Sequence, residues 1–284
     1  MTKLFGVVGD PIAHSLSPLI HKGWMRDHKL GADYLALQVV EGIFPEALET
    51  LERRGFKGLN VTLPHKISAL KFAGKVSLRA EKIGAVNTLW RQGDGQWHGD
   101  NTDAPGFQHA LAHAFRALEI ERFLSQEALV IGAGGAARSV AYTFGDDQQR
   151  AVFCNRTRER AEALLPIFDA GYVPFDENKG RRVSGFETLQ AELETCAFVI
   201  NTTSLGHAGG SLDWPPGKGR LVYDLSYGKV AENFLGPARA AGWQTVDGLR
   251  MLAAQAAFSF KIWFGIKPDI DAALDRCQRV LEAI

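Results

Sequence analysis

Cysteine is scarce in this 284-residue chain. The three thiols, Cys154, Cys196 and Cys277, are scattered, and their spacing suggests neither a disulfide framework nor a metal cluster. No metal is expected, and a reducing cytoplasm fits. An excess of charge of one sign is absent too. Thirty-two Lys and Arg balance 32 Asp and Glu, so no long-range field would gather nucleic acid or an anionic membrane. No stretch of 18 apolar residues occurs, and the opening MTKLFGVVGD has no apolar run behind a basic start. Neither a membrane span nor a signal peptide is expected. What is present is 46% hydrophobic residues, enough to give cores to about two domains. The expected partner is a small molecule, bound by a monomer or homodimer.

Short apolar runs alternate with helical spacing along the chain. LFGVVGDPI, from Leu4, reads as a buried strand stopped at Asp10-Pro11, and a helix follows with Ser17 as its cap and Pro18 in its first turn. Tyr34 to Val40 and Gly58 to Leu63 read as strands on either side of a helix from Phe44 to Arg54. After a shorter helix, GAVNTLWRQGDGQWHGDNTD reads as two strands around Gly93-Asp94-Gly95, and a helix runs from about Pro105 to Leu118. A second series has strands at Leu129 to Ile131, Ala151 to Asn155, Phe198 to Asn201 and Leu221 to Leu225. Helices from Ala136 to Phe144 and Arg158 to Phe168 lie among them. The chain closes in helices from Leu249 to Phe264 and Asp269 to Leu281. This alternation predicts an α/β protein with parallel strands joined by helical crossovers.

The most legible motif is Val130-Ile131-Gly132-Ala133-Gly134-Gly135-Ala136-Ala137. Gly132 permits a tight turn, Gly134 lets backbone approach a pyrophosphate, and Ala137 is small enough for a helix to pack on the strand. Bare N–H groups at the helix start then face the anion. A glycine turn by itself serves any strand-to-helix connection, but here the following strand stands at the spacing of a dinucleotide site. An NAD site usually places an acid about 20 residues on, for the ribose hydroxyls. This chain reads Cys154-Asn155-Arg156-Thr157-Arg158-Glu159-Arg160 there instead. A guanidinium pairs with a 2′-phosphate through its planar fork and stacks on adenine, which favours NADP.

Four polar strings in the N-terminal half exceed what strands and turns require: His14 to Pro18, Asn60 to Lys66, Ala85 to Thr88, and Gly99 to Asp103. Each is placed near the carboxyl end of an expected strand, where open α/β sheets bind ligands. Taken singly, each has an ordinary explanation: Ser17 as a cap, Asn87 as a turn residue, Lys66 as a solvated helix start, Asp103 as a cap.

The strings DPIAHSLSP, NVTLPHK, GAVNT, GDNTD, GAGGAARS, NRTRERA and DGLRMLAAQAAF, in that order and over nearly the whole chain, resemble the successive signatures of the shikimate dehydrogenase family. The resemblance implies a split substrate domain of residues 1–104 and 248–284 and a Rossmann-type NADP domain of residues 105–247. It also implies NADPH-dependent reduction of 3-dehydroshikimate to shikimate, in aromatic amino-acid biosynthesis. Carried over position by position, it makes Lys66 the catalytic lysine and Asp103 its acidic partner. Ser15 and Ser17 would bind the substrate carboxylate, with Thr62, Asn87, Tyr227 and Gln255 around the ring hydroxyls. Gly132, Ala133, Gly134, Gly135 and Ala136 would hold the pyrophosphate, and Asn155, Arg156, Thr157 and Arg160 the adenosine phosphate. Leu225 and Gly248 would approach nicotinamide. A quinate-using relative and a non-catalytic NADPH sensor are the alternatives, and intact Lys66 and Asp103 argue against the sensor. The chain departs from the family at Ala104-Pro105, in tolerating His65 before the lysine, and at Arg250 in DGLRM. Exposure is the norm for arginine, so Arg250 is expected to point into solvent.

Overall fold

In a computed structural model, which describes residues 2–119, 126–146, 149–170 and 181–283, the chain forms two compact units. The first comprises Met1–Gly106 and Leu252–Ile284, the second Phe107–Met251. The chain therefore changes unit inside two helices, a few residues beyond the boundaries expected from the sequence.

The first unit is built on strands β1 (Lys3–Gly9), β2 (Ala32–Gln38), β3 (Phe56–Val61), β4 (Lys75–Val76), β5 (Thr88–Arg91) and β6 (Trp97–Asp100), in the order β2-β1-β3-β5-β6-β4. β1 is parallel to both its neighbours, and its last five residues are all buried, as suits an inner strand covered on both faces. The Gly93-Asp94-Gly95 turn makes β5 and β6 an antiparallel hairpin, with β5 also antiparallel to β3. Around this sheet lie α1 (Ser17–Asp27), α2 (Phe44–Arg53), α3 (Lys66–Phe72) and α4 (Leu78–Ile83). Ser17 is not the cap of α1. It opens the helix, and its N–H donates to the Ser15 hydroxyl at 3.3 Å, so the capping oxygen sits two residues earlier.

Helix α5 (Asp103–Ala117) leads to the second unit, with strands β7 (Ala128–Ile131), β8 (Ala151–Asn155), β9 (Arg181–Gly185), β10 (Phe198–Asn201), β11 (Leu221–Asp224) and β12 (Gln244–Val246). All pairings are parallel and the order is β12-β11-β10-β7-β8-β9, the doubly wound arrangement of a Rossmann fold. Alternate strand residues feed two cores. Ala128, Val130, Phe198 and Ile200 join one, while Leu129, Ile131 and Val199 join the other. That two-sided burial explains the near-continuous apolar strands. Helices α6 (Gly135–Asp146), α7 (Arg158–Glu162), α8 (Leu165–Ala170), α9 (Leu189–Thr195) and α10 (Gly228–Ala240) connect them. The single helix expected from Arg158 to Phe168 is two, because Pro166 lacks the N–H that would continue the ladder from Glu162.

Two final helices, α11 (Leu249–Phe264) and α12 (Ile270–Leu281), return the chain to the first unit. Trp263 Nε1 donates to Leu89 O at 3.2 Å, and Trp24 Nε1 to Asp269 O at 2.7 Å. Between α1 and β2, His21 is fully buried and stacked on Tyr34 at 4.3 Å and 8°. Trp263 and Trp24 stand 5.2 and 5.7 Å away, and neither ring nitrogen has a hydrogen-bond partner. Burial pushes its pKa down to about 3.

Between the ordinary histidine value near 6.5 and about 3, the unfolded chain binds a proton that folded His21 refuses. Stability therefore falls as pH drops through that window, by about 1.4 kcal/mol per pH unit. His21→Phe should flatten the decline of the urea midpoint between neutral pH and about pH 4, and equal slopes for both proteins would contradict it.

Candidate active site

Several segments of the first unit meet at one sheet edge. β3 ends at Val61, α3 opens at Lys66, and β6 ends at Asp100, just before Asn101-Thr102-Asp103. Asn87 precedes β5 and so stands at an amino end, not at the carboxyl end expected. Because β5 is antiparallel to β3 and β6, the result is the same edge: Thr88 pairs with both Asn60 and Asp100.

Lys66 Nζ lies 2.6 Å from Asp103 Oδ2, with side chains 14% and 8% exposed. Asp103 Oδ1 accepts from Asn87 Nδ2 at 2.8 Å. The orientation of the Asn87 amide is set by partners that have only one possible role. The Thr102 backbone N–H can only donate, so the atom 2.7 Å from it is Oδ1, and Nδ2 must face the carboxylate. Thr88 and Thr102 hydroxyls add donors to Oδ1 at 3.0 and 3.1 Å. Gln255 Oε1 is 3.3 Å from Asn87 Nδ2, and Gln255 Nε2 donates to Leu252 O at 2.8 Å. Gln255 comes this near because α5 and α11 touch at Gly106, where a β-carbon would stand 2.7 Å from that of Gln255. The product is an ammonium with one proton directed at Asp103 and two more to give. It can stabilise, or protonate, an oxygen on which negative charge develops.

The other expected substrate residues are placed as follows. Ser17 is buried, Ser15 and Thr62 are half-buried, and Thr62 N–H donates to Val8 O at 2.9 Å. Among the described residues no hydrogen bond joins these three to Lys66, Asn87 or Asp103. Tyr227 lies in the second unit, at the N-cap of α10. A buried layer behind Asn87, comprising Asn60, Thr88, Thr102 and Ser259, is not among the expected site residues. Ser259 could have been found from its spacing, four residues after Gln255 and hence on the same helix face.

In the second unit, Gly132 follows β7 with φ +109°, a conformation that disfavours any side chain. A β-carbon there would also run into the Thr202 hydroxyl, which donates to Ile131 O at 2.8 Å. The turn Gly132-Ala133-Gly134 enters α6 at Gly135-Ala136, at the point where the strand order reverses between β7 and β10. Nothing lies within 4 Å of the β-carbon position of Gly134. At the end of β8, Asn155 Nδ2 donates to Thr157 O at 2.8 Å. Arg156 and Arg160 are exposed and, among the described residues, neither guanidinium is ion-paired, whereas Arg158 bonds Glu162 at 3.2 Å. Open glycine backbone at a helix start and two uncommitted guanidiniums fit a phosphorylated dinucleotide. Leu225 N–H donates to Asn201 O at 3.0 Å, and Gly248 N–H to Ser226 O at 2.7 Å.

Beside them sits an acidic pair. Burial pushes the Asp224 carboxyl up to about 6 and raises that of Asp247. Arg250 departs from the solvent placement expected of it. It is half-buried, and its charge acts on the buried Tyr223 hydroxyl, opposing Asp247 and Asp224. Among the described residues no group of three or more His, Cys, Asp or Glu side chains could hold a metal ion, and no helix is long and apolar enough to cross a membrane.

Two family descriptions match the chain: the shikimate dehydrogenase substrate binding domain over residues 7–89, and the shikimate 5′-dehydrogenase C-terminal domain over residues 248–278. A shikimate dehydrogenase (NADP(+)) of Hyphomonas neptunium is 48% identical over 283 residues, spanning 100% of this chain and 99% of the relative. The crystal structure of shikimate 5-dehydrogenase from Thermus thermophilus in complex with NADP(H) and shikimate has a TM-score of 0.79 at 34% identity. That match covers 98% of this chain and 99% of that one. Quinate dehydrogenase from Corynebacterium glutamicum in complex with NAD has a TM-score of 0.83 at 25% identity, covering 98% and 99%.

Proposed function

The chain belongs to the shikimate dehydrogenase family, and from that premise we propose that it interconverts 3-dehydroshikimate and shikimate with NADP(H) in the cytoplasm. The observation that carries this reading is the Lys66–Asp103 pair, 2.6 Å apart and held by Asn87. On this reading the unit of residues 1–106 and 252–284 supplies the catalytic pair and most of the substrate residues, and the unit of residues 107–251 supplies the cofactor residues and Tyr227.

The nicotinamide cofactor, when bound, supplies or accepts the hydride. Everything else is done by side chains. In the reducing direction the ketone oxygen gains negative charge, and Lys66 offers it a positive charge and a proton. In the oxidising direction the neutral Lys66 amine takes the hydroxyl proton back. Asp103 has both oxygens occupied by donors, so it remains an acceptor throughout. Ser15 and Ser17 hold the substrate carboxylate, while Thr62, Asn87, Gln255 and Tyr227 sort the ring hydroxyls. Gly132, Ala133, Gly134, Gly135 and Ala136 hold the pyrophosphate. Asn155, Arg156, Thr157 and Arg160 hold the adenosine phosphate, and Leu225 and Gly248 flank the nicotinamide.

Lys66→Ala should lower kcat by about 10² or more and leave NADP binding little changed, as expected for a group that acts in the transition state. Retention of more than half of kcat would refute the role given to Lys66.

Charge-assisted hydrogen bonds to a phosphate contribute about 1.5–3 kcal/mol each. NADP should therefore exceed NAD in kcat/KM by at least about tenfold, and Arg156→Ala should erode most of that preference. Equal efficiency with the two cofactors in the unmutated protein would overturn the assignment of the arginines.

Quinate differs from shikimate in carrying a tertiary hydroxyl at the carbon that bears the carboxylate. With the hydroxyls of Ser15 and Ser17 spent on the carboxylate, that group loses water without gaining a partner, at a cost of about 1–3 kcal/mol. Shikimate should be oxidised about tenfold or more efficiently. Parity in a steady-state assay with saturating NADP would favour the quinate-using branch of the fold instead.

A further inference from the structure

The Lys66–Asp103 pair is the visible end of a longer hydrogen-bonded series whose other end is buried. Tyr34 O–H donates to Asn60 Oδ1 at 2.8 Å, which turns Asn60 Nδ2 toward Ser259 Oγ, also at 2.8 Å. Ser259 has no exposed surface, and its hydroxyl also lies 2.8 Å from Thr88 Oγ1 and 3.1 Å from Thr102 Oγ1. Its fourth neighbour is Gln255 O, at 3.1 Å. Asn87 Oδ1 only accepts, so each threonine spends its single proton there, and Ser259 is the donor in its contacts with them, its one proton shared among Thr88 Oγ1, Thr102 Oγ1 and Gln255 O. The lone pairs of Ser259 Oγ are left for the Asn60 amide, and Asn87 in turn bonds Asp103.

From this we infer that Ser259 is a positioning residue for the reaction, acting through Thr88, Thr102 and Asn87 to fix the carboxylate that holds Lys66. The inference rests on the reading of Lys66 and Asp103 as the groups at the substrate oxygen. Ser259 is separated from its partners by 199, 171 and 157 residues. One hydroxyl on the returning helix α11 thus joins β3, β5 and the segment before α5. Without that oxygen, the Asn60 amide loses its shortest acceptor, and its next acceptors lie at 3.3 Å. Both threonines lose a partner in a place water does not reach. The amide they hold is then kept in place by the Thr102 N–H alone, and an Asn87 turned over would present Oδ1 to Asp103, two acceptors face to face.

Ser259→Ala removes the oxygen and leaves the helix and the packing volume nearly unchanged. It should lower kcat for shikimate oxidation by about tenfold, with KM for NADP within about twofold of the unmutated value. Ser259→Cys, which places a weaker hydrogen-bonding atom at the same position, should fall between. The deciding comparison is a double-mutant cycle. In an Asn87→Ala background the Ser259→Ala change should alter kcat by less than about twofold, because the relay is already broken. A purely structural serine would cause the same fold-loss in both backgrounds, and that result overturns the inference, as does a Ser259→Ala enzyme within about twofold of full activity. Lys66→Ala assayed alongside separates the two levels. If it is inactive while Ser259→Ala stays within about twofold of full activity, only the positioning role fails.

Discussion

Asp103 carries charge where little water reaches it, and a carboxylate so placed must find a donor for each oxygen. Much of the first unit's site follows from that need. Lys66 serves one oxygen and Asn87 the other. Asn87 can serve only if its amide faces the right way, which the Thr102 N–H ensures. Thr102 is held in turn by the turn that opens α5: Asn101 Oδ1 accepts the Ala104 N–H at 3.2 Å, and Asp100 Oδ1 accepts the Asn101 N–H at 2.7 Å. Asp100 is itself fixed by Ser77 and Arg79, at 2.5 and 2.6 Å. A buried ion pair contributes little net stability, since desolvation offsets its attraction. What it provides here is place: an ammonium held at one point, with two protons still to give.

The second unit solves a different problem with different means. A phosphorylated dinucleotide has to meet bare backbone, so the turn at Gly132 is shaped by φ and by the closeness of Thr202 and not by side-chain donors. The guanidiniums at Arg156 and Arg160 stay in water and unpaired among the described residues, which keeps them available to an incoming phosphate. The acidic pair Asp224 and Asp247 resembles the first unit in placing carboxyl groups where burial keeps water away.

Local patterns in the sequence carry much of this. Strands β8 and β10 and helix α11 are legible to the residue, because apolar runs bounded by polar ones leave little choice. Strands β4, β9 and β12 are not: they are short and polar or charged and lie toward sheet edges, where one-sided burial imposes no apolar run. The buried polar layer around Ser259 escapes for a related reason. Its chemistry depends on partners more than 150 residues away, and a lone serine among apolar residues has an ordinary look. Asn87 stands out in the sequence, but for the wrong end of its strand, since spacing does not reveal that β5 runs antiparallel to β3.

Those two styles of site imply two kinds of selectivity. In the first unit the donors are arranged before any ligand arrives, inside a region of low dielectric, so an ill-fitting group meets atoms that cannot move to accommodate it. On the proposed reading, discrimination there is set by the geometry of these donors. In the second unit the arginines proposed for the adenosine phosphate, Arg156 and Arg160, are exposed, and their attraction for a phosphate would be screened over about 8 Å at physiological ionic strength. Selection between cofactors thus depends on the solution as well as on the protein. An enzyme with this division would let its cofactor preference follow the surrounding ions more than its choice of substrate, because the hydroxyls and amides behind Lys66 are buried.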